Sequence, residues 1–205
     1  MDFSRDQHRE VVMLRVGDKL TEVFDERFHL AGHQYLLIVW LRHFGCRFFQ
    51  EAKLLLPSLK AELDREDVHL IGVVQGDEEE IKTFWPFEAI DVVGDPQKVT
   101  YKAIGLERTS LFKILFPNQR LKQRRTQATE RGCSMNKAGT KSKSSDILQL
   151  PGVSLVDFEK RIVWLHRGKH TGDLDLGPEL VTMVREKTQK LGPSQSPQTV
   201  KEPPK

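Results

Sequence analysis

Cys46 is the residue of this chain whose type and position best suit chemistry. It follows the apolar run 34–41 across a short turn and opens a helical pattern. A thiol in the first turn of a helix lies where unpaired backbone N–H groups and the helix dipole stabilise a negative charge. Arg42, His43 and Arg47 lie within five residues of Cys46 and would add positive charge. The thiolate is the nucleophilic form of cysteine, so the sequence predicts a redox thiol at Cys46 whose ionisation Arg42 and His43 favour.

A structural role for the same residue stays open. A cysteine without thiol chemistry is often a small buried hydrophobic residue, and position alone does not decide between the two roles. The second cysteine, Cys133, lies in segment 118–145, which holds eight Lys or Arg residues against Glu130 alone. This segment shows almost no apolar periodicity and is predicted to be a mobile basic insertion. Cys133 is then either an incidental surface cysteine or a mobile thiol that reaches an oxidised Cys46.

Two buried strands and the helix between them must position Cys46. Residues 34–41 and 68–74 are rich in branched and aromatic side chains without polar alternation, which is typical of strands buried on both faces. Apolar residues recur at intervals of three and four over 46–63, which predicts a helix. A strand, a helix and a second strand in this order indicate a right-handed parallel crossover.

The rest of the chain supplies shorter elements. A helix is predicted near 78–85, a strand at 90–93, a helix at 99–106, a hairpin from 153–156 and 162–165, and a last helix at 178–190. Parallel strands followed by a hairpin predict an α/β class with a central mixed sheet flanked by helices.

Three segments resemble the signature blocks of the peroxiredoxin-like branch of the alkyl hydroperoxide reductase and thiol-specific antioxidant family. They are IVWLRHFGC at 38–46, GDPQKVTYKAIGL at 94–106 and LQLPGVSLVDFEKRIVWLHRGKHTGD at 148–173. The resemblance covers roughly 18–180. It implies a thioredoxin-like fold and a thiol oxidoreductase that reduces peroxides or disulfides, with Cys46 at the place of the redox cysteine.

Two departures from that family leave the activity open. Typical peroxiredoxins have Pro and Thr seven and three residues before the peroxidatic cysteine, where this chain has Val39 and His43. Relatives of this branch often have C-x-x-C, but Phe49 holds the fourth position and excludes a local disulfide. The alternative function is a catalytically degenerate thioredoxin-fold interaction module.

Length and composition limit the number of domains and the kinds of partner. The 205 residues suit one domain, predicted at 18–190, with an N-terminal extension at 1–17 and a disordered tail at 191–205. The expected partners are peroxides and thiols, with no membrane, specific nucleic acid or cofactor. No metal is expected, because the pair His166 and His170 lacks an evident third ligand. A charged start without an apolar run favours a cytoplasmic location.

Overall fold

The structure is a computed structural model that describes residues 13–24, 26–85 and 89–191. Within these ranges five strands form one sheet: β1 (Tyr35–Trp40), β2 (Val68–Val74), β3 (Asp91–Gly94), β4 (Gly152–Val156) and β5 (Ile162–Arg167). The helices of the same ranges are α1 (Arg47–Arg65), α2 (Glu78–Phe84), α3 (Val99–Ala103), α4 (Leu111–Leu115), α5 (Gln119–Glu130), α6 (Lys137–Thr140) and α7 (Pro178–Leu191).

The sheet is mixed and has β1 at its centre. Its strand order is β3-β2-β1-β4-β5. β1 runs parallel to β2 and antiparallel to β4, so Trp40 pairs with Val73 on one side and with Gly152 on the other. The predicted α/β class, the parallel crossover through α1 and the hairpin of β4 and β5 are confirmed.

Both faces of the sheet are covered, as the apolar runs predicted. Alternate residues of β1 point to opposite faces, so Leu37 and Val39 join one core cluster and Leu36 and Ile38 join the other. The first cluster also contains apolar residues of α1, α5 and α7. No helix in the described ranges is long and apolar enough to cross a bilayer.

The prediction of a mobile insertion at 118–145 is wrong. The segment folds into α5 and α6, and its residues Leu121, Ala128 and Cys133 are buried in the first core cluster. Arg124 donates to Glu51 of α1 at 2.8 Å, and Arg131 forms a second ion pair with the same carboxylate. These basic residues neutralise a buried charge, so the segment is held by the domain although it lacks a continuous apolar stripe.

The described part of the N-terminal extension also packs on the domain. Leu14 is buried in the second core cluster, and its amide donates to the carbonyl of Ala103 at 2.8 Å. The Gly17 amide donates to the carbonyl of Ile162 at 2.8 Å. Residues 1–12 and the predicted tail from 192 onward lie outside the described residues.

Candidate active site

Cys46 is the N-cap residue of α1, as its place in the sequence predicted. Its backbone is extended, and its amide donates to the carbonyl of His43 at 2.9 Å. The side chain is 2% exposed, so the thiol lies inside the protein at the positive end of a 19-residue helix. The backbone dipoles of such a helix favour a negative charge on the sulfur.

Arg42 contacts the sulfur directly. Its Nη1 donates to Cys46 Sγ at 2.9 Å. Its Nε donates to the carbonyl of Gln149 at 3.0 Å, and Nη2 donates to the carbonyl of Ile147. The guanidinium is therefore fixed in position by the segment before β4. Arg42 is only 6% exposed, so solvent screens its charge only weakly beside the sulfur.

His43 does not add the positive charge that the sequence suggested. Burial, helped by the neighbouring charge of Arg42, lowers the pKa of His43 to about 3. The imidazole is therefore neutral at physiological pH. Its Nδ1 is buried and has no hydrogen-bond partner among the described residues. His43 thus contributes a carbonyl that fixes the Cys46 amide and a neutral ring that lines the pocket.

Two further arginines lie around Cys46. Arg47 Nη1 donates to Thr129 Oγ1 at 2.6 Å and to the carbonyl of Arg125 at 3.1 Å. Burial and the charge of Arg47 lower the pKa of Arg125, whereas the nearby Cys46 acts in the opposite direction. Sequence reasoning missed Arg125, because its segment was predicted to be mobile and 79 positions separate it from Cys46.

A pocket of about 390 Å³ opens at Cys46. The three arginines and His43 form one part of its wall. The remaining wall is mostly apolar: Phe48, Ile114, Leu115, Met135 and Ile147. Such a pocket can hold a small reactant that has one polar end near the sulfur and an apolar remainder.

α6 closes this pocket by packing against the loop before Cys46. The Asn136 amide donates to the carbonyl of Gly45 at 3.0 Å. A Cβ added to Gly139 would lie 2.6 Å from the carbonyl carbon of Phe44, and one added to Gly45 would collide with Thr140. The two backbones therefore meet at a distance that only glycine allows at both positions.

Two of the three positions that depart from the peroxiredoxin pattern, Val39 and Phe49, are part of the apolar core. Val39 is fully buried in β1. Phe49 packs its ring 5.2 Å from that of Phe44 and 5.7 Å from that of Trp85. The place of a second C-x-x-C thiol is thus filled by an aromatic cluster.

Cys133 is neither mobile nor on the surface. It is 3% exposed, and its amide donates to the carbonyl of Ala128 at 2.9 Å in the turn that ends α5. Burial, followed by the charge of Glu51, raises the pKa of the Cys133 thiol. It lines a different pocket from Cys46, together with Gln50 and Leu54. Both cysteines are free thiols.

His166 and His170, the two candidate metal ligands, lie beside a carboxylate. No group of three or more His, Cys, Asp or Glu side chains that could hold a metal occurs in the ranges that the structure describes. His166 and His170 instead lie 3.7 and 4.0 Å from the Asp173 carboxylate.

Solved structures show the same fold. A peroxiredoxin-like protein from Aquifex aeolicus is 12% identical and has a TM-score of 0.51, over 86% of this chain and 89% of its own. A cysteine-to-serine mutant of PrxQ from Xylella fastidiosa is 14% identical with a TM-score of 0.50, over 87% of this chain and 97% of its own. A peroxiredoxin Q mutant from Xanthomonas campestris is 13% identical with a TM-score of 0.50, over 79% and 81%.

The family follows from a match along the sequence. None of the curated proteins compared matches the chain. Residues 55–170 match the family described as AhpC/TSA antioxidant enzyme, which is more than half of the 205 residues. The matched range begins after Cys46, so the role of that thiol rests on the geometry around it. The chain therefore belongs to the AhpC/TSA antioxidant enzyme family and has the thioredoxin-like fold of a peroxiredoxin.

Proposed function

We propose that the protein is a thiol-dependent peroxidase in which Cys46 is the peroxidatic residue. The observation that carries the proposal is the bond of 2.9 Å from Arg42 Nη1 to Cys46 Sγ at the N-terminus of α1. The guanidinium and the helix dipole both stabilise negative charge on sulfur, and the thiolate is the form that attacks peroxides. The membership of an antioxidant enzyme family supports the same chemistry.

The first step consumes one peroxide. The Cys46 thiolate attacks one peroxide oxygen, an S–O bond forms, and the O–O bond breaks. The leaving oxygen takes a proton and departs as water or an alcohol, and Cys46 becomes a sulfenic acid. Arg42 and Arg125 lie on the pocket wall, where their charge would stabilise the departing oxyanion.

The second step needs an external thiol. Phe49 offers no sulfur, and Cys133 is fixed in a turn that lines a separate pocket. A thiol from a small molecule or a protein would attack the sulfenic acid and release water, which leaves a mixed disulfide. A second thiol would then attack that disulfide and restore Cys46.

Replacement of the two cysteines tests the assignment. We expect Cys46→Ser to lose peroxide consumption in the presence of dithiothreitol, and Cys133→Ser to keep most of it. Mass spectrometry after brief exposure to limiting peroxide should find the first oxidation on Cys46. Equal turnover by Cys46→Ser and the unaltered protein would show that the nucleophile is another residue.

A cytoplasmic location is part of the same proposal. The two cysteines lie in separate pockets and are not joined by a disulfide, so the fold does not depend on an oxidising compartment. Fractionation of cells that express the full chain, with a redox state assay of both thiols, checks this location.

A further inference from the structure

Helix α4 carries an apolar surface that the described part of the chain leaves exposed. Its residues Leu111, Phe112, Leu115 and the following Phe116 are 55, 68, 70 and 67% exposed. Met135, which is 50% exposed, lines the Cys46 pocket together with Leu115 and extends the same surface. We call these five residues the α4 patch.

The helix is held by polar contacts and not by burial of its apolar side chains. Ser110 caps α4 by accepting from the amide of Lys113 at 3.3 Å. Arg125 Nη2 donates to the carbonyl of Ile114 at 2.8 Å. No residue of α4 is buried. A contiguous exposed apolar surface of this kind in a folded protein usually marks an interaction site.

Five basic residues lie on α4 and on α5 and α6, whose residues line the Cys46 pocket together with α4. Lys113 belongs to α4 itself, Lys122 lies in the first turns of α5, and Arg125 joins α5 to α4. Lys137 is the first residue of α6 and lines a pocket with Met135, and Lys141 is the C-cap residue of α6. None of these five has an acidic side chain within ion-pair distance among the residues that the structure describes. Their charge is available to a partner.

Although the sequence suggested no membrane partner, we propose that the α4 patch and its basic rim bind the surface of an anionic lipid bilayer. Exposed Phe, Leu and Met side chains can enter the boundary between headgroups and acyl chains while lysines pair with anionic headgroups. A second copy of the chain fits less well, because two rims of the same sign would face each other. A nucleic acid would leave the leucine and methionine side chains without an apolar partner.

Binding in this orientation has a consequence for the pocket. Leu115 and Met135 belong both to the α4 patch and to the wall of the Cys46 pocket. The bilayer would therefore lie at the pocket entrance. An acyl chain that protrudes from the bilayer could then enter the pocket and reach the sulfur. Lipid binding itself does not depend on Cys46 chemistry, so the two proposals can fail separately.

Vesicle flotation of the full chain tests the proposal. We expect binding to phosphatidylcholine vesicles that contain about 30% phosphatidylserine, little binding to pure phosphatidylcholine, and release as NaCl rises from about 50 to about 500 mM. The double variant Phe112→Ser with Phe116→Ser should lose about tenfold or more of the binding. The Lys113→Glu, Lys122→Glu pair should bind anionic vesicles less and should not gain binding to neutral ones.

Matched controls come from the far end of α7. Leu191 is 53% exposed and Lys190 is also exposed, so Leu191→Ser and Lys190→Glu change the same residue types outside the patch. Both should bind like the unaltered protein, and circular dichroism should show that all variants are folded. Cys46→Ser should also bind normally.

Four results would overturn the proposal. The first is absence of binding to anionic vesicles by the unaltered chain, and the second is equal binding by the Phe112, Phe116 variant. The third is self-association in analytical ultracentrifugation that the same variant abolishes, which would make the α4 patch an interface between copies. The fourth is binding to duplex DNA that the lysine variant loses and the phenylalanine variant keeps. This result would show that the basic rim binds nucleic acid without the apolar residues, which contradicts a lipid surface.

Discussion

At the scale of single residues, the site depends on one arginine that is fixed by main-chain carbonyls. Arg42 donates to the carbonyls of Gln149 and Ile147 and to Cys46 Sγ. Its position does not depend on a reactant, so no free energy is needed to bring the charge to the sulfur during the reaction.

We predict that Arg42→Met slows alkylation of Cys46 by iodoacetamide at pH 7 about tenfold, which is the loss expected for one charged hydrogen bond. Mass spectrometry of the Cys46 peptide over time gives the rate. Arg161→Met is the control, since this arginine is exposed and pairs with Glu159 near the β4–β5 turn, away from Cys46. An unchanged rate in Arg42→Met would mean that the guanidinium does not stabilise the thiolate.

His43 predicts an acid sensitivity of the fold. Its pKa is about 3 in the folded protein, mainly because of burial, against 6.5 as the ordinary value. Below pH 6.5 the unfolded chain therefore binds a proton that the folded protein does not, and stability is lost as the pH falls toward 3. At about 1.4 kcal/mol per pH unit, the loss from this residue between pH 7 and pH 5 is about 2 kcal/mol.

The measurement is urea unfolding of the unaltered protein and of His43→Leu at both pH values. We expect the variant to lose about 2 kcal/mol less on acidification, since it has no ring to protonate. Burial also lowers the pKa of His69 and His170, but these residues are present in both proteins and cancel in the comparison. Identical losses in the two proteins would show that His43 is accessible to protons in the folded state.

At the scale of elements, one buried carboxylate joins α5 to α1. Glu51 is 3% exposed, and its carboxylate forms ion pairs with Arg124 and Arg131. Arg124 also lies over the Phe48 ring, 5.6 Å from its centroid. Two guanidinium groups and one carboxylate thus join the segment that forms part of the pocket wall to the helix that begins at Cys46.

We expect Glu51→Gln to lower the free energy of unfolding by about 2 kcal/mol, because two arginines lose a charged acceptor at a buried position. Glu66→Gln is a suitable comparison, since Glu66 pairs with Arg185 at 2.7 Å on the surface and the loss of this exposed pair should cost much less. Denaturant unfolding measures both. Equal small losses would show that the Glu51 pairs contribute no more than exposed ones.

Sequence reasoning identified the elements whose side chains form local patterns. β1, β2 and α1 are continuous apolar runs or helical stripes, so their type and approximate bounds were predictable. α5 was not predictable, because its segment has only the widely spaced buried residues Leu121, Ala128 and Cys133 among basic residues. Arg124 pairs with the Glu51 carboxylate only in the folded protein. The site divides in the same way: Arg42 is near Cys46 in sequence, whereas Arg125 reaches it only through tertiary structure.

At the scale of the whole molecule, segment 118–145 is a wall of the pocket and a part of the core. Replacing it with a short Gly/Ser linker should lower the melting temperature by about 10 °C or more, since the core loses three buried side chains and Glu51 loses both partners. Thermal unfolding by circular dichroism measures this change. A melting temperature within about two degrees of that of the full chain would show that the segment is dispensable for folding.

The contact between Gly45 and Gly139 also constrains how related genes can diverge. The two residues are 94 positions apart, yet a side chain on either one would collide with the backbone that carries the other. A substitution of either glycine would force α6 away from Cys46. The steric constraint on the other glycine would then be absent. We therefore expect the pair to be inherited or lost together, so that a related sequence with both glycines encodes a covered thiol and one with neither encodes an open thiol.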